Sequence, residues 1–196
     1  MPRRGVGALA VLSAATLAAC GGSKGMNRTE APGAKFVRDC ATHVEGGLPR
    51  DWRRRSVEVG PVAFYPARTF EDEANPDPGA KFVGEKALVV LRARDDVTVV
   101  VGQRQRDSAS LDYEYGTGRK RRSPPVNLSD GVGVVRFVAC RGGERPLSPG
   151  HRLDRETQFN GGIVGRWGQC VPLDVFVRGR DTPLRAAISL GAGRCR

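Results

Sequence analysis

The sequence predicts an all-β protein, an antiparallel β-sandwich preceded by one short helix. Of its 196 residues, 26 are Gly and 13 are Pro, and this abundance of helix-interrupting residues disfavours a helical bundle. From residue 57 onward the apolar residues form short, Val-rich runs separated by Gly and Pro, which is typical of strands and turns. No long amphipathic helix separates these runs, so a parallel α/β sheet is disfavoured. An immunoglobulin-like arrangement is the first expectation because it is common, although no signature specifies it.

The first predicted element is a short helix within residues 35–45. Its apolar residues recur at the spacing of one helix face, and Gly46 and Gly47 would end it. These apolar residues are Phe36, Val37, Cys40 and Val44. His43 lies off this face and is expected at the surface. A helix this short is unstable alone, so it must dock on the rest of the domain.

Seven strands are predicted after this helix, each from a short run rich in β-branched or aromatic residues. They are Val57–Phe64, Ala87–Ala93, Val97–Val101, Val132–Ala139, Gly162–Trp167, Leu173–Arg178 and Leu184–Leu190. Residues 92–96 separate the second run from the third and predict a hairpin. Short strands joined by turns favour an antiparallel sandwich or barrel.

Residues 1–19 have the pattern of a signal peptide. Arg3 and Arg4 precede an uncharged stretch at 6–19, which is shorter than the ~20 apolar residues that a spanning helix needs. The stretch ends in Leu17-Ala18-Ala19-Cys20, which is similar to the lipobox of bacterial lipoproteins. In that motif the small residues fit the peptidase, and the Cys20 thiol takes a diacylglyceryl group. Two acyl chains would anchor the protein stably to a membrane.

This processing predicts three parts of the chain. Residues 1–19 are the signal peptide, 20–34 are the lipidated cysteine and a flexible tether, and 35–196 are a single β-sandwich domain. The tether is polar and contains Gly and Pro, and a coil of this length spans roughly 20 Å. The expected location is the outer face of the cytoplasmic membrane.

Four cysteines remain once Cys20 is assigned to the lipid. An even number in an exported chain predicts two disulfides, with three possible connectivities. Cys140 ends one predicted strand, Cys170 precedes the next predicted strand but one, and Cys40 and Cys195 lie near the two ends of the domain. We therefore expect the pairs Cys140–Cys170 and Cys40–Cys195. The absence of a Cys-x-x-Cys pattern makes a zinc ribbon or a thioredoxin-type centre unexpected.

The sequence contains no recognisable catalytic motif. It lacks a His-Glu-x-x-His helix and a phosphate loop. His151 and Asp154 could form half of a general-base pair, but a solvated loop histidine explains the pattern more simply. We expect no catalytic residues, metal ligands or cofactor.

A strongly basic loop is the one feature that suggests a surface function. The formal net charge is +11, and the run Arg119, Lys120, Arg121 and Arg122 is preceded far upstream by Arg53-Arg54-Arg55. Outside the cell, anionic lipid or an acidic wall polymer is a more plausible target than nucleic acid, and each cation near an anionic surface contributes about 1 kcal/mol. The alternative is a solvated loop that serves only solubility.

Short segments spread over most of the mature chain resemble segments of uncharacterised lipoproteins of high-GC actinobacteria. They are Cys40–Trp52, Gly60–Phe64, Phe137–Cys140, Thr157–Gly162, Cys170–Asp174 and Leu190–Cys195. The resemblance implies export, lipidation and attachment to the cell envelope, and it implies no enzymatic activity.

Together these features predict a lipid-anchored binding or interaction module of the cell envelope. Two alternatives stay open. One is an envelope hydrolase whose site the sequence hides, for which a pocket joining His151 to a nucleophile would be the sign. The other is an accessory subunit of a membrane complex, for which an exposed apolar patch would be the sign.

Overall fold

The computed structural model describes residues 32–34, 36–113, 126–148, 153 and 155–195. Its regular elements there are strands and short 3-10 helices, which confirms the predicted all-β class. No helix in these ranges has both the length and the apolar character needed to cross a membrane. The strands are β1 (Phe36–Arg38), β2 (Val57–Val59), β3 (Val62–Tyr65), β4 (Val83–Lys86), β5 (Leu88–Arg92), β6 (Asp96–Val101), β7 (Ala109–Asp112), β8 (Val134–Val138), β9 (Glu156–Phe159), β10 (Gly162–Gly165), β11 (Gln169–Val177) and β12 (Leu184–Leu190).

The strands form three sheets. The five-stranded sheet has the order β1-β8-β6-β11-β12, the four-stranded sheet β2-β3-β5-β9, and the three-stranded sheet β4-β10-β7. Every pairing is antiparallel except β1 with β8, which is parallel. The fold is therefore mixed at one edge, where a purely antiparallel sheet was expected.

One hydrophobic core joins the three sheets. It combines side chains such as Phe64 from the four-stranded sheet, Ile163 from the three-stranded sheet and Phe137 from the five-stranded sheet. The ring of Phe137 meets Tyr113 edge-on, with 5.0 Å between the ring centroids, a favourable aromatic geometry. Burial of this apolar surface is the main stabilising contribution to such a fold.

The predicted N-terminal helix is wrong. Residues 36–38 form strand β1, and residues 40–42 form only a 3-10 turn capped by the Asp39 side chain. The helical spacing was misleading because Val37 is exposed while Arg38 is fully buried. Pairing with β8 and the burial of Arg38 therefore determine this segment, rather than an apolar helix face.

The Arg38 guanidinium explains how a charged residue can occupy the interior. It donates hydrogen bonds to the backbone carbonyls of Tyr113, Thr42 and Asn160, and it lies over the ring of Phe159. Desolvation lowers its pKa, although the nearby Tyr113 and Asp39 act in the opposite direction. Its Nε atom also donates to the Thr42 hydroxyl, so all three guanidinium nitrogens form hydrogen bonds, as a buried arginine requires.

The predicted run Val57–Phe64 is two strands rather than one. Gly60 has φ +58°, a conformation that favours glycine, and Gly60-Pro61 turns the chain so that Val59 pairs with Val62. The strands that the pattern missed are β1, β4, β7 and β9, which are short or contain several polar residues.

The predicted hairpin at residues 92–96 is also wrong. Strand β5 belongs to the four-stranded sheet and β6 to the five-stranded sheet, so this segment crosses between sheets. Its backbone N–H groups bond to other segments, Ala93 to the Arg155 carbonyl and Arg94 to the Cys140 carbonyl. Arg94 adopts φ 70° at this crossover.

The four cysteines form two disulfides as expected, but with different partners. The bonds join Cys40 to Cys140 and Cys170 to Cys195, which corrects the expected pairs. Parallel pairing of β1 with β8 places Cys40 and Cys140, which follow these strands, side by side with 4.9 Å between their Cα atoms. Cys170 lies on β11 opposite Ser189 of β12, and the segment after β12 returns to it.

Candidate ligand-binding cleft

Several predicted site residues lie outside the described part of the chain. They are the lipid-attachment residue Cys20, the basic run Arg119, Lys120, Arg121 and Arg122, and the pair His151 and Asp154. The upstream arginines 53–55 are described and lie in a 3-10 helix over Trp52–Arg55. The candidate site is therefore built from this helix and the sheet beneath it.

The 3-10 helix is fixed to the fold by a buried serine. Ser56 is fully buried, and its hydroxyl donates to the Trp52 carbonyl at 2.8 Å. Its backbone N–H donates to the Arg53 carbonyl, and the backbone N–H of Arg68 donates to the Arg55 carbonyl. Trp52 and Arg53 are consequently held at a defined place beside β2 and β3.

A cleft of about 290 Å³ lies between this helix and the face of the four-stranded sheet that points away from the core. We call it the arginine cleft. Ala63 and Val90 pair across β3 and β5 and form its apolar floor. Its charged lining side chains are Arg53, Glu58, Arg92, Arg155 and Glu156.

Three contacts hold the Arg53 side chain in place. Its guanidinium carbon lies 4.4 Å from the centroid of the Trp52 ring, a cation–π contact. Nη1 lies 3.4 Å from Glu58 Oε1, and Nη2 lies 4.0 Å from Glu156 Oε2. The side chain is nevertheless 65% exposed. Arg53 is thus oriented but still accessible to a ligand.

Sheet register brings two further arginines to the same cleft. Arg92 pairs with Glu156 across β5 and β9, and the Arg155 carbonyl accepts a hydrogen bond from Ala93 N–H just after β5. Arg92 also forms an exposed ion pair with Asp95 at 3.3 Å. Arg155 also lines the cleft, and it is exposed to solvent.

The arginine cleft has the chemistry of a binding site. Guanidinium groups recognise carboxylate and phosphate oxygens bidentately, and glutamates accept hydrogen bonds from hydroxyl groups. The described residues that line the cleft include no serine, cysteine or histidine. The arrangement therefore favours a polar, negatively charged ligand with hydroxyl groups.

A second polar cluster surrounds the Cys40–Cys140 disulfide. His43 is buried, which corrects its expected surface position. Its Nδ1 lies 2.5 Å from the Cys40 carbonyl oxygen, and its Nε2 lies 3.1 Å from Glu45 Oε1. Cys40, His43 and Cys140 bring potential metal-ligand atoms close together, but both sulfurs are bonded to each other. In this state the cluster braces the fold.

Glu45 connects this cluster to a distant loop. Its carboxylate accepts the backbone N–H groups of Leu147 and Ser148 at 2.6 and 2.5 Å. Desolvation acts to raise its pKa, but hydrogen bonds from Leu147, His43 and Ser148 outweigh it and lower the pKa to about 2. The carboxylate therefore fastens residues 147 and 148, in the middle of the segment that joins β8 to β9.

Comparison with known proteins adds no further identification. No protein-family model, no curated protein and no solved structure matches the chain. The candidate site rests on the residues described above.

Sequence reasoning identified Arg53 within its arginine run but missed the other members of the cleft. Glu58 alternates with two apolar neighbours, Val57 and Val59, so a strand model with period two could have placed it on the outer face. Glu156 begins strand β9, which the pattern did not reveal, and Arg155 directly precedes it. No local signal links these two residues to Arg53.

Proposed function

We propose that the protein is a lipid-anchored binding module on the outer face of the cytoplasmic membrane. The lipobox ending at Cys20 supports the anchor, and two disulfides are compatible with an oxidising, extracytoplasmic location. For the architecture we propose a β-sandwich, supported by the core that joins the sheets. An immunoglobulin-like topology is the finer form of this proposal.

The proposed ligand is an acidic polysaccharide of the cell envelope, bound in the arginine cleft. The observation that carries this proposal is the convergence of Arg53, Arg92 and Arg155 on one concave surface. Their guanidinium groups suit the carboxylates or phosphates of such a polymer. Glu58 and Glu156 could accept hydrogen bonds from its hydroxyl groups.

An anionic membrane surface is the second target that the basic residues could serve. The run Arg119–Arg122 supports it through charge alone, and that run lies outside the described residues. The arginine cleft favours the polymer because it is concave and mixes cations with carboxylates. The negative charge of a flat anionic bilayer would repel the carboxylates of Glu58 and Glu156.

Binding of a defined polyuronate tests the proposal. The full chain in nanodiscs of neutral lipid is titrated with galacturonate oligosaccharides and, separately, with neutral dextran oligosaccharides. We expect binding of the uronate alone, weakening as salt is raised. Substituting both Arg92→Gln and Arg155→Gln should weaken it at least about tenfold, since a charged hydrogen bond contributes about 1.5–3 kcal/mol.

Arg180→Gln is the matched control, because Arg180 is an exposed arginine in the turn between β11 and β12. It removes one positive charge from a residue that does not line the cleft, so it is compared with each single cleft substitution, and it should leave affinity nearly unchanged. Absence of uronate binding, or equal weakening by Arg180→Gln, would contradict the proposed site. Binding to anionic vesicles that survives the double substitution would instead favour the membrane-surface function.

A further inference from the structure

A second groove lies apart from the arginine cleft and shares no residue with it. It is lined by strand β7 and by the segment 128–134, which is hydrogen-bonded to β7 through Leu111 and Val132, and its volume is about 370 Å³. This volume lies in the range of small-molecule sites. We call it the Ser110 groove. Most of its described lining is apolar or glycine, including Leu128, Val132 and Val134.

Ser110 supplies a buried polar group with no partner among the described residues. Ser110 lines the groove together with Ala109. Ala109 and Leu111 belong to the core, so alternation along β7 directs the Ser110 side chain away from the core. The residue is only 5% exposed, and its Oγ makes no hydrogen bond among the described residues. Unpaired buried hydroxyl groups are uncommon because they lose hydration without compensation.

A glycine keeps space open beside this hydroxyl. A Cβ atom at Gly131 would lie 2.7 Å from Ser110 Oγ and 2.7 Å from the Leu111 carbonyl oxygen, so any other residue would displace backbone. A Cβ atom at Gly133 would meet nothing within 4 Å. The groove is therefore accessible at Gly133 and restricted at Gly131.

Arg106 provides the charge at the groove. It lines the groove, is exposed, and has no ion-pair partner among the described residues. A ligand that satisfies both polar groups needs an anionic end that accepts hydrogen bonds from Arg106 and Ser110. The rest of the groove is lined by apolar residues and glycine, so the remainder of the ligand should be apolar.

We infer that the Ser110 groove binds an aliphatic monocarboxylate, such as a medium-chain fatty acid. The carboxylate accepts hydrogen bonds from the Arg106 guanidinium and the Ser110 hydroxyl, and the hydrocarbon chain lies against Leu128, Val132 and Val134. This inference is independent of the polysaccharide proposal, because it uses a different surface and a different ligand class.

Saturation-transfer NMR with octanoate tests this inference on the full chain in nanodiscs, with empty nanodiscs subtracted. We expect octanoate to bind and acetate, which lacks the hydrocarbon chain, not to bind. Arg106→Gln should weaken octanoate binding about tenfold or more. Arg104→Gln, a neighbouring exposed arginine that does not line the groove, should change it less than twofold.

Two further variants separate binding from folding. Ser110→Ala should weaken octanoate binding while leaving the melting temperature of the ligand-free protein unchanged or higher, because the hydroxyl has no partner to lose. Gly133→Leu fills open space and should block binding without unfolding the domain. A lowered melting temperature for Ser110→Ala would assign the hydroxyl a structural role and overturn the inference. So would octanoate binding that persists in Gly133→Leu, equal effects of Arg104→Gln and Arg106→Gln, or no binding at all.

Discussion

Arg136 holds the carboxylate of Asp96 through two hydrogen bonds between neighbouring strands. Nε donates to Oδ1 at 2.9 Å, and Nη2 donates to Oδ2 at 2.7 Å. Arg178 adds a third cationic contact at 3.3 Å. The Arg136 hydrogen bonds lower the pKa of Asp96 despite the opposing effect of desolvation. The pair thereby fixes strands β6 and β8 from the solvent side of the five-stranded sheet.

Arg136→Met should destabilise the protein by about 1–3 kcal/mol. The substitution removes the main hydrogen-bond donor to the Asp96 carboxylate, whose side chain is only 9% exposed. Urea denaturation measures the change. The control is Arg185→Met, since Arg185 is 85% exposed in its pair with Asp174 and such pairs contribute about 0–1 kcal/mol. Equal losses in the two variants would show that Asp96 does not depend on Arg136.

Stability should fall in acid partly because of Glu45. Its pKa is lowered to about 2 in the folded chain, whereas an unfolded glutamate titrates near ~4.3. A lowered folded-state pKa stabilises the protein above the unfolded value, and this contribution is lost as pH falls through the folded value. The loss should therefore occur between about pH 4.3 and 2.

Glu45→Gln should flatten this part of the curve of unfolding free energy against pH. The variant should also be less stable than wild type at neutral pH, where the charged hydrogen bonds to Leu147 and Ser148 are weakened. Glu71→Gln serves as the control, because no hydrogen bond is formed by that carboxylate among the described residues. An unaltered pH curve for Glu45→Gln would show that the loop contact does not contribute.

The two disulfides should differ in their contributions. Cys40 and Cys140 are 100 residues apart, and Cys170 and Cys195 are 25 apart. Loop-closure entropy gives about 4.7 kcal/mol for the first and about 3.5 kcal/mol for the second. Double serine replacement at Cys40 and Cys140 should therefore destabilise more than at Cys170 and Cys195, by about 1 kcal/mol. Thermal unfolding by calorimetry would refute this order if the shorter loop proved the more important.

Gly191 should tolerate no side chain. It has φ +75°, and a Cβ atom there would overlap the ring of Trp167. Gly193 has φ +70° but open space around it, so Gly193→Ala measures the backbone strain alone. Gly191→Ala should lower the melting temperature further than Gly193→Ala does. Similar melting temperatures would mean that the Trp167 ring can move aside.

The sequence predicts those strands whose local apolar pattern agrees with their burial in the fold. Runs such as Val97–Val101 and Leu184–Leu190 are β-branched or apolar and form β6 and β12. Strand β9 was not predicted because Thr157 and Gln158 are polar, although both are buried. The Thr157 hydroxyl accepts the Cys140 backbone N–H at 2.8 Å, and such a partner is invisible to a local pattern.

Long-range pairing accounts for the other errors. Cys40 meets Cys140 because β1 joins β8 in parallel, an arrangement that spacing along the chain does not encode. The arginine cleft likewise depends on the register of β5 with β9, which brings Arg92 and Glu156 together. The net charge predicts a basic surface. Which arginines lie together on that surface depends on the tertiary fold.

We propose that this chain is a disulfide-braced domain anchored by lipid at Cys20. Mass spectrometry of the native protein extracted from membranes, digested without reduction, tests it most directly. The account predicts a mature chain that begins at acylated Cys20, with peptides linking Cys40 to Cys140 and Cys170 to Cys195. An unmodified Cys20, a mature chain that begins elsewhere, or a peptide linking Cys140 to Cys170 would contradict it.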